Sequence, residues 1–126
     1  MRLLLDTHIF IWWDRQLRRV PRDVRSIIED GGNDIVVSAA TVWEIAIKRR
    51  TGKLAFPVPI TAAIEKMGFQ LLLISGAHAE HAGNLPRHHG DPFDRMLISQ
   101  AMLERLVLAT QDPQMRPYGV PLLGLA

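Results

Sequence analysis

Cysteine is absent from the 126 residues, which excludes a disulfide framework, a thiol nucleophile and every thiolate metal site. Any metal must be held by oxygen or imidazole. The longest strongly apolar runs, such as Leu3–Leu5 and Gln70–Ile74, fall far short of the ~20 residues that cross a bilayer, so no membrane span is expected. Met1-Arg2 leads directly into Leu3-Leu4-Leu5-Asp6, without the long apolar stretch and small-residue cleavage site of a secretory signal. The amino terminus reads as the first structural element, and a cytoplasmic location is expected. No GxxxxGK[ST] or GxGxxG occurs, so glycine loops that cradle nucleotide phosphates are missing too.

What is present fits one globular unit. A length of 126 residues suits a single domain of roughly 100–200 residues, expected here over 1–126. At 48% hydrophobic and 22% charged residues, with no low-complexity tract, the chain has enough apolar surface to build a core. The 15 Lys and Arg against 13 Asp and Glu give +2. Setting aside Asp6, Glu44, Asp94 and Asp112 leaves 15 against 9, or +6, a basic body around an acidic hole. Arg15, Arg18, Arg19, Arg22 and Arg25 crowd one stretch, and Lys48, Arg49, Arg50 and Lys53 another. Each suits a phosphate backbone as well as it suits a solvated face.

Apolar Arg2–Leu5 predicts a buried strand, Ile9–Leu17 a helix, and Arg22–Asp30 a helix bracketed by Pro21 and Gly31-Gly32. The β-branched run Asp34–Ser38 predicts a second strand. Helices are expected over Thr41–Arg50, Ile60–Met67, Ala77–Asn84 and from Asp91-Pro92 to about Arg105, with strands at Phe69–Ile74, Leu106–Ala109 and Leu122–Leu125. Alternating strands and helices imply an α/β fold, a three-layer α/β/α sandwich with a central parallel sheet. In such sheets ligands gather beyond the carboxyl ends of the strands.

Asp6 closes the first strand, Asp112 follows the fourth, Glu44 lies one turn into the helix after the second, and Asp91 and Asp94 open the helix before the fourth. Carboxylates brought together there would raise one another's pKa unless a cation intervened. The fitting cations are Mg²⁺ and Mn²⁺, hard ions that take oxygen ligands and leave positions open for phosphate and water. Each acid also has an ordinary reading. Thr41 to Glu44 matches a capping box, and Glu44 to Lys48 an i,i+4 pair. Asp91 suits an N-cap before Pro92, and Asp112 before Pro113 suits a turn. Thr7 and Ser38 are strand-end caps or holders of a metal-bound water. His78, His81, His88 and His89 complete no zinc pattern and read as capping or exposed residues. Trp12, Trp13 and Trp43 are expected in the core or at a subunit contact.

The segments Leu3-Leu4-Leu5-Asp6-Thr7-His8, Ser38 to Lys48, Gly52-Lys53-Leu54, His89 to Leu97 with its DPFDR run, and Thr110-Gln111-Asp112 together resemble the PIN-domain family. More narrowly they resemble the VapC-type toxins of type II toxin–antitoxin systems, from the first strand to the last. The resemblance implies a Mg²⁺- or Mn²⁺-dependent endoribonuclease that cuts RNA, is neutralised by a cognate antitoxin and forms a homodimer. It implies that Asp6, Glu44, Asp94 and Asp112 are the catalytic and metal-binding acids. Asp91, Thr7, Ser38 and Thr110 would be accessory, and Lys48, Arg49, Arg50 and Arg95 would meet RNA.

Two rivals fall on residue identity. A receiver-like domain needs an aspartate closing its third strand, where Ile74 is followed by Ser75, and a haloacid-dehalogenase-like phosphatase needs Asp-x-Asp where Asp6-Thr7-His8 stands. The surviving alternative is a catalytically silent PIN-like module that binds RNA or protein; the full set of acids argues against it.

Overall fold

The computed structural model describes residues 1–125. Five strands form one sheet in the order β3-β2-β1-β4-β5, all parallel: β1 Arg2–Leu5, β2 Asp34–Ser38, β3 Gln70–Leu72, β4 Val107–Ala109 and β5 Leu122–Leu123. The helices are α1 Thr7–Arg15, α2 Arg22–Glu29, α3 Ala39–Arg50, α4 Ile60–Lys66, α5 Gly76–Asn84 and α6 Pro92–Glu104, with 3₁₀ turns at Leu17–Arg19 and Pro113–Tyr118. Among the described residues no helix is long and apolar enough to cross a membrane.

Strand residues alternate between two cores, which explains why β1 and β2 are continuously apolar. Leu3, Leu5, Ile35 and Val37 face one core with Ile9, Phe10, Val24, Ile45 and Ile64. Leu4, Val36 and Leu108 face the other with Leu97, Ile98, Ala101 and Met115. This is the expected three-layer sandwich. The strand order reverses at β1, whose neighbours are β2 on one side and β4 on the other. The chain leaving β1 and the chain leaving β4 therefore diverge, and a crevice opens between them.

Several boundaries differ from the sequence reading, each for a visible cause. Helix α1 begins at Thr7, because the Asp6 side chain accepts the Ile9 amide and acts as N-cap. It ends at Arg15, and Leu17–Arg19 forms a separate turn. Helix α3 is capped three residues before the expected Thr41, with Ser38 accepting the Ala40 amide. Thr41 and Glu44 thus lie inside the helix, and the predicted capping box is not formed. Strand β3 is short because it pairs only with Val36–Ser38 at the sheet edge, leaving Leu73 and Ile74 exposed. Strand β5 stops at Leu123, and Gly124 turns the chain at φ +108°. The helical turn Pro113–Tyr118 is not among the expected elements, although Asp112 and Pro113 form an N-cap with proline at the first position.

Candidate active site

Asp6 follows β1 as the N-cap of α1 and is buried, 4% exposed. One oxygen accepts the Ile9 amide at 2.8 Å, and Thr110, just past β4, gives it a hydroxyl hydrogen bond. These bonds favour the charged form, yet burial outweighs them and pushes the carboxyl from 3.8 up to about 6, with the charges of Asp112 and Glu44 adding to the rise. The same Thr110 hydroxyl oxygen accepts the Asp112 amide at 3.0 Å. Asp112 in turn caps the following turn by accepting the Gln114 amide at 2.9 Å. Asp6 and Asp112 line one cavity of about 330 Å³ with His8, Trp12 and Gln111.

Glu44 reaches this place from α3. It is buried, and Thr7 Oγ1 donates to its Oε1 at 2.7 Å while Lys48 Nζ donates to its Oε2 at 2.7 Å. Thr7 Oγ1 also lies 3.1 Å from Thr41 Oγ1. With the single Thr7 hydrogen on Glu44, Thr41 is the donor to Thr7. Thr7 thus fastens α3 to the first turn of α1, one residue from Asp6.

Asp94 comes from the first turn of α6. Burial, then the charge of Asp91, raises its carboxyl from 3.8 to about 6; the hydrogen bond with His89 opposes the rise, and Asp6 adds to it. Asp91 itself is exposed and caps α6 through the Phe93 and Asp94 amides at 2.9 and 3.1 Å. The structure therefore brings Asp6, Glu44, Asp94 and Asp112 into one electrostatic cluster, with Asp91 as the helix cap and Ser38 as a buried cap on α3.

His89, a polar-loop residue by its sequence surroundings, has a more specific place. It lies between Tyr118, whose hydroxyl is 2.7 Å from Nδ1, and Asp94, whose Oδ2 is 3.2 Å from Nε2. Arg95 Nη1 donates to the same Tyr118 hydroxyl at 3.3 Å. Because arginine cannot accept, the Tyr118 oxygen accepts there and its one hydrogen is free for His89 Nδ1, the arrangement of a neutral ring that faces the Asp94 carboxylate with Nε2. Nδ1 is then an acceptor, and Nε2–H donates to Asp94. Only its position five residues before Asp94 could flag His89 in the sequence.

The remaining basic candidates divide. Lys48 is held by Glu44. Arg49 donates to the carbonyls of Phe56 and Val58, and Arg95 to those of Pro86, Ala82 and Leu85, so both guanidinium groups support the fold. Arg50 is exposed at the end of α3. Trp43, expected in a core or at a subunit contact, is 61% exposed and meets Phe93 edge-on at 5.2 Å. Trp13 packs beside Phe69, and Trp12 borders the acidic cavity.

The oxygen-only donor set, with two carboxyls raised by crowding and burial, fits a hard divalent cation. Among the described residues no three His, Asp or Glu side chains form a ready-made cage; Mg²⁺ needs only one or two carboxylates with water completing its shell.

These features define an α/β domain with an acidic site at the switch point of a parallel sheet. The sequence matches the PIN domain family over residues 3–120, and the chain belongs to that family. It is 25% identical over 122 residues to Ribonuclease VapC22 of Mycobacterium tuberculosis, covering 94% of this chain and 93% of that one. The fold is similar to that of a DNA-bound VapBC from Salmonella typhimurium, with a TM-score of 0.73, 19% identity and coverage of 98% and 97% of the two chains. It is also similar to a toxin–antitoxin complex from Klebsiella pneumoniae, with a TM-score of 0.65, 21% identity and coverage of 96% and 95%.

Proposed function

We propose that this chain is a divalent-metal-dependent endoribonuclease acting as the toxin of a toxin–antitoxin pair. The observation that carries the reading is the convergence of Glu44, Asp94 and Asp112 on Asp6, with Asp6 and Asp94 raised to about 6, in a chain of the PIN family. The relative named a ribonuclease and the neighbour described as a toxin–antitoxin complex support it.

Asp6 and Asp94 are the residues that would hold Mg²⁺ or Mn²⁺, with Glu44 and Asp112 placed to hold its waters. When bound, such an ion supplies charge neutralisation at the phosphate and a water acidified enough to attack. The chain's own groups prepare the place. The Ile9 amide and the Thr110 hydroxyl hold Asp6, the Thr7 hydroxyl and Lys48 hold Glu44, and His89 holds Oδ2 of Asp94. Fixing these acceptors in advance lowers the cost of ordering them when charge builds on the phosphate.

The same reading carries RNA as substrate, a cognate antitoxin and a homodimer as partners. Arg50 and Lys48 are the RNA contacts it retains, and the exposed Trp43 and Ile47, four residues apart on α3, are apolar surface that an assembly would cover. The test is RNA cleavage by the purified chain with Mg²⁺, with EDTA, and by Asp6→Asn with Mg²⁺. Cleavage is expected only in the first case; undiminished cleavage in EDTA refutes the metal role, and no cleavage with Mg²⁺ or Mn²⁺ favours a silent binding module.

A further inference from the structure

The turn Leu17–Arg19 and the start of α2 place Arg18, Arg19, Arg22 and Arg25 around one cavity of about 320 Å³ with Gln111. Gln111 also lines the acidic cavity, so the two are neighbours across one residue. The wall between them is built of planar groups. The Arg19 guanidinium lies over the Trp12 ring at 4.4 Å, and the His8 ring lies 5.9 Å beyond Trp12. His8 and Arg19, the outer members of this ladder, are exposed.

The arginines are short of partners. Among the described residues Arg18 and Arg22 have no hydrogen bond or ion pair from their side chains. Arg25 donates one nitrogen to the Leu17 carbonyl at 2.5 Å, but its buried Nε meets nothing. The adjacent acid does not compensate them, because Asp23 accepts the Val24 and Gly124 amides. Arg19 donates to the Gln16 side chain at 3.2 Å, but among the described residues no acid pairs with any of the four; a cavity lined by guanidinium groups without a counter-charge calls for an anionic ligand, and arginine forks match phosphate.

We propose that this cavity holds the backbone of the RNA substrate, so that the strand runs from the arginines across the His8–Trp12–Arg19 ladder to the acids. The inference rests on the ribonuclease reading. Single strands are bound by a basic groove beside aromatic and guanidinium planes on which unstacked bases rest. A duplex offers no free base to such a ladder. A peptide partner draws most of its affinity from apolar pockets, whereas among the described residues Val20 and Pro21 are the only apolar ones bordering the cavity.

The experiment uses the full-length Asp94→Asn protein in EDTA, so that binding is read without cleavage. Fluorescence anisotropy follows a short fluorescein-labelled oligouridylate, alone or annealed to oligoadenylate, over a series of NaCl concentrations. Adding Arg18→Gln and Arg22→Gln, both on exposed side chains, is expected to weaken single-strand binding about tenfold and to flatten the log–log salt slope by about 1.4, at about 0.7 per lost phosphate contact. Unchanged affinity and slope overturn the inference. So does tighter binding of the duplex, or a polyglutamate peptide that depends on these arginines while RNA does not. If arginine-dependent binding holds but the wild type cuts no RNA with Mg²⁺, the cavity assignment stands and the nuclease reading falls. If the arginine variants of the wild type bind and cut unchanged, the reverse is true.

Discussion

His89 Nε2 lies 3.2 Å from Asp94 Oδ2, and the hydrogen-bond order Arg95 to Tyr118 to His89 to Asp94 gives that contact a direction. Groups that orient a metal-binding carboxylate are commonly worth 10–100-fold in metal affinity. His89→Asn is expected to weaken Mn²⁺ binding by about that factor in calorimetry, because its shorter amide reaches toward Tyr118 but not Asp94. His89→Gln puts a donor near the Nε2 position and should recover most of the loss. In a long-range proton–nitrogen spectrum the wild-type ring should carry its hydrogen on Nε2, and Tyr118→Phe should release that preference. An Nδ1-protonated ring in the wild type contradicts a hydrogen bond running from His89 to Asp94.

Stability of the metal-free protein should fall as pH rises. The Asp6 carboxyl sits at about 6 when folded and 3.8 in the unfolded chain. Between those values the folded state binds more protons, so its stability declines with increasing pH through that window and stays reduced above it. Asp94 acts in the same direction. In EDTA, melting temperature should be higher at pH 5 than at pH 7. Asp6→Asn should raise stability at pH 7 by about 1–3 kcal/mol while still capping α1. A wild type more stable at pH 7 than at pH 5 would count against the crowded acids.

Thr7 ties Glu44 to the start of α1 at 2.7 Å in a buried setting. Thr7→Val keeps the shape and removes the donor to a charged acceptor, which should cost about 1–3 kcal/mol in urea unfolding. Thr7→Ser should restore most of it. Equal stability of the Val and Ser proteins would show that this hydroxyl does not hold Glu44.

Gly124 supports the site from below. A Cβ there would stand 2.6 Å from the Thr110 carbonyl oxygen, on a residue at φ +108°. Gly124→Ala should destabilise by about 1–3 kcal/mol and weaken Mn²⁺ binding through displacement of Thr110, the hydroxyl partner of Asp6. Mn²⁺ affinity equal to wild type in the folded variant would separate β5 from the site.

Much of this architecture is legible because the strands carry their own signal. The unbroken apolar runs of β1 and β2 follow from a core on each face, and the order of motifs locates the acids. Caps are harder to read where two patterns compete over the same residues. Thr41 to Glu44 satisfies the capping-box spelling, yet Ser38 starts the helix earlier and frees Glu44 for Thr7. Asp6 reads as a strand end, although it also caps α1. His89, Tyr118 and Arg95 meet across more than twenty residues, a pairing that no local spacing encodes. Arg49 and Arg95 illustrate the same limit: charge is visible in a sequence, but the carbonyls that absorb it are not.

Titration of the purified chain with Mn²⁺ by calorimetry at pH 7 measures the central claim most directly. Saturable binding is predicted for the wild type, lost in Asp6→Asn and in Asp94→Asn while both variants remain folded. Absence of binding to the wild type, or equal binding by all three proteins, would contradict the assignment of these carboxylates to a divalent ion.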